Sequence, residues 1–149
     1  MGTHHKGSKK EVTALNTYIK LVRAVESLNQ RLYSFLSKHS LTDSQFAALE
    51  ALYHLGPLNQ RELSSKLLKS PGNITMVIDN LEKRNFVKRE RGELDRRHYI
   101  LHLTAGGKEF IKNIFPEHLN EIVNELSVLS DEEQCQLQRL CKLIGLKSE

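Results

Sequence analysis

The chain has 149 residues, 39% of them hydrophobic and 27% charged, with a formal net charge of +4. That composition excludes a disordered chain, and no apolar run approaches the roughly 20 residues that a membrane span needs. The charge is uneven: residues 83–97 hold 7 basic and 3 acidic side chains, net +4, whereas residues 98–149 hold 5 basic and 8 acidic, net −3, so a polyanion is expected at the middle of the chain and not at its C-terminal third.

Residues 1–11, "MGTHHKGSKKE", are polar and read as a flexible arm. They lack the apolar core of a secretory signal. His4 and His5 alone do not make a metal site. From Leu15 the apolar residues Leu15, Ile19, Val22, Val25, Leu28, Leu32 and Phe35 recur in steps of three and four, which predicts one long helix within 12–38. "LTDSQF" opens a second helix. Thr42 and Gln45 have capping-box spacing, and Leu41 and Phe46 are placed as a hydrophobic staple. Gly56-Pro57 ends it. Asn59 and Glu62 repeat the cap for a short third helix that ends near Lys69, and Ser70-Pro71 reads as N-cap and N1 of a fourth, with Ile74, Val77, Ile78 and Leu81 inward.

After Asn85 the period drops to two. Phe86-Val87 and Tyr99–Leu103 predict two strands around the basic tip "RGELDRR". Thr104 then caps a fifth helix carrying Phe110, Ile111, Ile114, Leu119, Ile122 and Leu126, with Pro116 inside it, and Ser130 with Glu133 caps a sixth carrying Leu137, Leu140 and Ile144.

The resulting fold class is mostly α with a small β-hairpin wing: a winged helix-turn-helix over 42–104 joined to a helical lobe from 12–38 and 105–149. A helix N-terminus is electropositive and fits the major groove of DNA, and an arginine-tipped loop fits the minor groove. On the fourth helix Ser70, Pro71, Gly72, Asn73, Thr75 and Met76 are small or polar where a core helix would be apolar. Asn73 and Thr75 suit hydrogen bonds to bases or phosphates, Met76 suits thymine methyls, and Lys83 and Arg84 suit phosphates. An ordinary solvated helix start accounts for the same residues taken alone; the basic wing tips the reading toward DNA. The first and last helices are amphipathic yet separated by the whole winged module, so their apolar stripes call for a second copy of the chain. Packing within one subunit is the competing account.

The stretches "LTDSQFAALEAL", "NQRELSSKLLKSPGNITMVIDNLEKRNFVKRERGELDRRHYILHLTAGG" and "FPEHLNEIVNELSVLSDEEQCQL" resemble the multiple-antibiotic-resistance repressor (MarR) family, from about Val12 to about Ile144. "LEKRNFVKR", the wing "DRR" and "LTAGG" are its most specific parts. The resemblance implies an obligate homodimer whose first and last helices interlock, each subunit offering one winged helix to half of a palindromic operator. It further implies that Asp95 orients Arg97 into the minor groove, with Arg96 beside it. Two features depart from the family pattern: Asn85 stands where a glycine is usual, and the wing lacks one proline-containing step before Asp95. Relatives commonly bind phenolic or other aromatic compounds between the lobes. Tyr18, Phe35, Phe46 and Phe115 are candidates to line such a site, and each fits ordinary core equally well.

Other chemistry is poorly supported. Cys135 and Cys141 are six apart on one helix, on different faces, and cannot bridge each other. They suit a reducing, cytoplasmic setting, or else a thiol-switched regulator. His98 and His102, four apart on a strand, are ~13 Å apart, too far for one metal ion. Glu117, His118 and Glu121 fall short of a convergent ligand set. Glu93 and Asp95 balance charge on the wing. "AGGK" at 105–108 lacks the strand-loop setting of a nucleotide site. No enzyme motif is present, and neither a metal nor a cofactor is expected. The reading that remains is a transcriptional regulator, a repressor released by a small ligand; a winged-helix protein-interaction module without DNA binding is the alternative from another class.

Overall fold

The computed structural model describes residues 2–92 and 99–146. Along them run α1 (Lys9–Lys38), α2 (Asp43–Leu55), β1 (Leu58–Asn59), α3 (Gln60–Leu67), α4 (Pro71–Lys83), β2 (Val87–Arg91), β3 (Tyr99–Leu103), α5 (Ala105–Leu126) and α6 (Asp131–Gly145). The mostly helical class with a small antiparallel wing is thus the observed one.

Local chemistry accounts for most of the boundaries. Thr42, Asn59 and Ser130 each accept the backbone N–H of the residue three ahead, and Gln45, Glu62 and Glu133 each return a side-chain oxygen to the cap's own N–H. Each box satisfies two of the N–H groups that a helix start leaves without partners. Ser70 caps α4 through Asn73 N–H, with Pro71 at N1. The long helix begins earlier than its apolar stripe. Ser8 and Glu11 form a reciprocal cap, Ser8 N–H to Glu11 at 2.7 Å and Glu11 N–H to Ser8 Oγ at 3.3 Å, so α1 starts at Lys9, inside the expected arm. The Ser8 backbone N–H, joined by the Ser8 hydroxyl donating at 2.8 Å, holds the Glu11 carboxyl below its ordinary range. At the other ends, Asn85 (φ +57°) and Leu68 (φ +51°) close α4 and α3 in the left-handed region, which asparagine tolerates and leucine rarely visits.

The sheet has the order β1-β3-β2, antiparallel throughout. β2 and β3 pair from Val87↔Leu103 to Arg91↔Tyr99. The sequence reading missed β1, where Leu58 pairs with Leu101 and Asn59 with Ile100. Two residues carry no period, and Asn59 serves at once as strand end and helix cap.

The chain divides into two compact units, Ser34–His118 and the pair of segments Met1–Tyr33 and Leu119–Glu149. In the first unit the core is Phe35, Leu36, Leu41, Phe46, Leu49, Leu52, Leu63, Ile74, Ile78, Leu81, Leu101, Ile111 and their neighbours, all buried. The boundary falls inside α1 and α5. The reason is that Phe35 and Leu36 of α1 and Ile111 and Ile114 of α5 are core residues of the winged unit. In the second unit no described residue is buried. Tyr18, Val25 and Tyr33 of α1, Leu119 and Val123 of α5, and Leu137, Leu140, Leu143 and Ile144 of α6 are all exposed. Among the described residues no helix is long and apolar enough to cross a membrane.

One glycine shows how closely the winged unit is packed. A Cβ on Gly107 would lie 1.9 Å from the carbonyl oxygen of Phe86. The N-terminus of α5 therefore sits directly on the backbone leading into β2, tied there by Thr104 N–H to Phe86 O at 3.0 Å and Thr104 Oγ1 to Asn85 O at 2.6 Å. Gly107→Ala is expected to destabilise the protein by about 1–3 kcal/mol, since backbone cannot retreat as a side chain does. Urea unfolding against the unmodified protein, with Gly106→Ala as a control, measures it.

Candidate nucleic-acid interface

The site is built on α4. Its inner side chains Ile74, Val77, Ile78 and Leu81 are buried. With that stripe fixed, Gly72, Asn73, Thr75 and Met76 are exposed. The helix thus exposes a small, polar first turn, a surface able to approach a groove closely. Ser70 and Pro71 are exposed and shape that turn as cap and N1; Ser70 Oγ accepts Asn73 N–H at 3.3 Å and is committed to the cap.

Neighbouring elements border this face. The first turn of α2 lies alongside it: Thr42, Ser44 and Gln45 share a cleft of about 250 Å³ with Asn73, Met76, Val77 and Asn80. From α3, Gln60 Nε2 donates to Thr75 Oγ1 at 2.5 Å. Sequence reading missed Ser44, Asn80 and Gln60, because their approach to α4 is tertiary. The exposed Arg61 and Lys66 of α3 and the exposed Lys69 behind it were missed as well. Their signal was present, three basic residues flanking the turn before α4, but the denser run at 83–97 masked it.

The structure reassigns part of that dense run. Arg84, expected at a phosphate, faces inward. Its guanidinium donates to Ser40 O at 2.7 Å and His39 O at 3.2 Å, just past the end of α1. It also lies 4.7 Å from the ring centre of Phe86, which stacks on Phe110 at 4.3 Å. The planar fork thus meets two carbonyls and covers a ring. These contacts give Arg84 a structural role beside the phosphate contact expected of it. Arg89 is engaged too: its guanidinium meets Glu82 and, at 2.7 Å, Asp79, and its N–H donates to Glu82 at 3.0 Å. That clamp fixes β2 to α4, and hence the wing's root to the helix. Lys88 pairs with Glu90 at 2.5 Å and His102 faces the same carboxylate at 3.3 Å. The Lys88 hydrogen bond chiefly holds the Glu90 carboxyl below its ordinary range. Lys83 and Arg91 are exposed and make no ion pair among the described residues. Asp95, Arg96, Arg97 and His98, with Glu93, lie outside the described residues.

Three of the four aromatic residues considered for an effector belong to the winged unit. Phe35 and Phe46 are core, 1% and 4% exposed, with ring centres 5.7 Å apart and His118 against both. Phe115 is half-buried beside His54, at 4.8 Å between rings. Tyr18 belongs to the other unit and is 65% exposed.

Residues 41–99 match the sequence pattern described as the MarR family. The chain is 38% identical to the HTH-type transcriptional regulator YkoM of Bacillus subtilis (strain 168) over 136 residues, 91% of this chain and 88% of that one. It is 35% identical to the HTH-type transcriptional regulator MhqR of the same organism, over 91% and 94% of the two chains. Its fold is similar to that of AbsC, a MarR family transcriptional regulator from Streptomyces coelicolor, with a TM-score of 0.84 at 21% identity over 95% and 96% of the two chains. It is also similar to NadR in complex with 4-hydroxyphenylacetate, with a TM-score of 0.76 at 24% identity over 99% of each.

Two neighbouring cations are expected to separate cleanly. Lys83→Ala should weaken binding to specific and to random duplex DNA alike and lower the salt slope by about 1, with stability unchanged. Arg84→Ala should cost about 1.5–3 kcal/mol of stability, the range for hydrogen bonds to a charged group. Its binding, measured on the fraction that is folded, should keep the salt slope of the unmodified protein. Urea unfolding alongside a salt series of binding isotherms checks both.

Proposed function

The chain belongs to the MarR family of HTH-type transcriptional regulators, and from that premise we propose that it is a homodimeric repressor of a palindromic operator, released by a small aromatic ligand. Regulators of this family bind DNA and are not enzymes. The reading carries with it a cytoplasmic setting, where the operator is.

The dimer rests on one observation: the helical unit has no buried described residue of its own, while α1, α5 and α6 all expose large apolar side chains on it. Such a unit reaches a normal interior only against another surface, and a second copy provides one that is self-complementary about a two-fold axis. Two winged units would then face two half-sites about one helical turn, ~34 Å, apart. On each, Asn73, Thr75 and Met76 would meet base edges and Lys83 a phosphate. Arg97, oriented by Asp95 and flanked by Arg96, would enter the minor groove.

The aromatic effector is supported by the fold shared with NadR, whose structure holds 4-hydroxyphenylacetate. Of the residues first considered for it, Tyr18 and Phe115 keep accessible surface. A redox-switched version has one observation in its favour, that Cys135 and Cys141 are both exposed free thiols. Oxidant sensitivity of operator binding that vanishes with Cys135→Ser or Cys141→Ser would select it.

Removing residues 127–149 is expected to abolish dimerisation and tight operator binding together, although the winged unit is untouched. Sedimentation of the full and shortened chains decides the assembly; a full-length monomer that still binds a palindrome tightly refutes the dimer. Arg97→Ala in the full chain should weaken operator binding by about 1–3 kcal/mol and leave the dimer intact. Fluorescence anisotropy with a labelled operator reads the loss, and unchanged affinity at physiological salt refutes the minor-groove role.

A further inference from the structure

The contact between Gln60 and Thr75 changes what each residue can offer to DNA. A threonine hydroxyl has one hydrogen to donate and two lone pairs. Thr75 Oγ1 lies 3.0 Å from Pro71 O, four residues back along α4, and 2.5 Å from Gln60 Nε2. The carbonyl of Pro71 can only accept, so the hydroxyl hydrogen is committed to it. Gln60 must then approach with its NH₂ group, which fixes the orientation of the whole amide. The hydroxyl keeps one lone pair, and the other group Thr75 has left is its γ-methyl. On Gln60, one N–H and the carbonyl oxygen make no further hydrogen bond among the described residues.

Gln60 is the first residue of α3, half-buried, beside the exposed first turns of α4. A glutamine held there, with a donor and an acceptor side by side, has the pattern that adenine presents through N7 and N6 in the major groove. A threonine methyl beside it suits a thymine methyl. We propose that Gln60 and Thr75 form one reading unit: Gln60 is the adenine-specifying residue, Thr75 holds its amide in place through the hydroxyl, and Thr75 itself reads by its methyl. The proposal rests on the DNA-binding reading above. It moves the hydrogen-bonding role expected of Thr75 to a residue on the preceding helix, 15 positions away.

Four variants test it: Gln60→Ala, Thr75→Val, Thr75→Ser and the double variant Gln60→Ala/Thr75→Val. Valine keeps the methyl and removes the hydroxyl; serine does the reverse. The probe is a duplex selected from a randomised pool by the unmodified full-length protein. Binding is measured on it, on random duplex, and on copies with each adenine replaced in turn. Gln60→Ala is expected to lose roughly tenfold in preference for the selected duplex and to become indifferent to one adenine per half-site. Thr75→Val should reproduce that loss at the same adenine, and the double variant should be no worse than either single one. Thr75→Ser should keep the adenine preference and instead become indifferent to removal of one thymine methyl, supplied as a uracil substitution. Losses that multiply in the double variant, or an adenine preference that survives Gln60→Ala, overturn the reading unit. If the unmodified protein enriches no sequence at all, DNA recognition itself fails and the proposal with it. Thermal melts of all four variants show whether folding is intact, and a loss confined to one base position cannot come from misfolding.

Discussion

Four side chains of one helix, Ile74, Val77, Ile78 and Leu81, decide what the rest of the winged unit can do. Each is buried among α2, α3 and the sheet, and each such burial contributes about 1.5–3 kcal/mol. Together they leave α4 no rotational freedom about its axis. Asn73, Thr75 and Met76 face outward because the opposite stripe cannot. The first turn is set in the same way, since Ser70 and Pro71 start the helix at a defined residue and the left-handed Asn85 ends it at another. A helix whose roll and both ends are fixed can present a polar turn to a groove with the precision that base recognition demands.

Charge is organised around the same constraint. Counted along the sequence, residues 83–97 are one basic run; in space they divide by task. Arg84 and Arg89 are structural ties. The first joins the end of α4 to the end of α1 through two carbonyls, and the second joins β2 to Asp79 and Glu82 on α4. An arginine facing two carboxylates adds little positive potential outside the molecule, so less of the run is available to a polyanion than its net charge implies. The wing's root and the recognition helix consequently move as one body, because the ties that hold them are charged, multiple and partly buried.

The parts of this arrangement that were legible in the sequence are those written in local chemistry. Capping at Thr42, Asn59, Ser70, Thr104 and Ser130 depends on residues three apart, and the inward stripe of α4 depends on a period of 3.6. Both can be read without a fold. The unread parts are contacts between residues distant along the chain. β1 is two residues long and has no pattern of its own; it exists because β3 offers an open edge. The bonds of Arg84 to Ser40 and His39, 44 and 45 residues away, could not be read from the sequence. Phe35 and Phe46 were equally ambiguous, since an aromatic residue on an apolar stripe has the same spacing whether it lines a pocket or fills a core. The start of α1 at Ser8 was readable, as a serine followed three residues on by glutamate, but it lies ahead of the apolar stripe that drew attention.

The uneven burial of the two units has a consequence for regulation. The winged unit has its own interior and is built to keep one shape. The helical unit has every described residue at least partly exposed, and in the proposed dimer it would gain stability from association. α1 and α5 each contribute to both units. In that dimer, a change in how the helical units associate would have a covalent route into the core of the winged unit, through Phe35 and Leu36 on one helix and Ile111 and Ile114 on the other. Because that core resists deformation, such a change would act by redirecting a whole recognition helix and leave its reading face intact. Two-fold operator binding is sensitive to just that variable, since half-site spacing must match the separation of two rigid helices. A ligand needs only to favour one separation over another to control affinity, and a difference of a few kcal/mol between the two suffices.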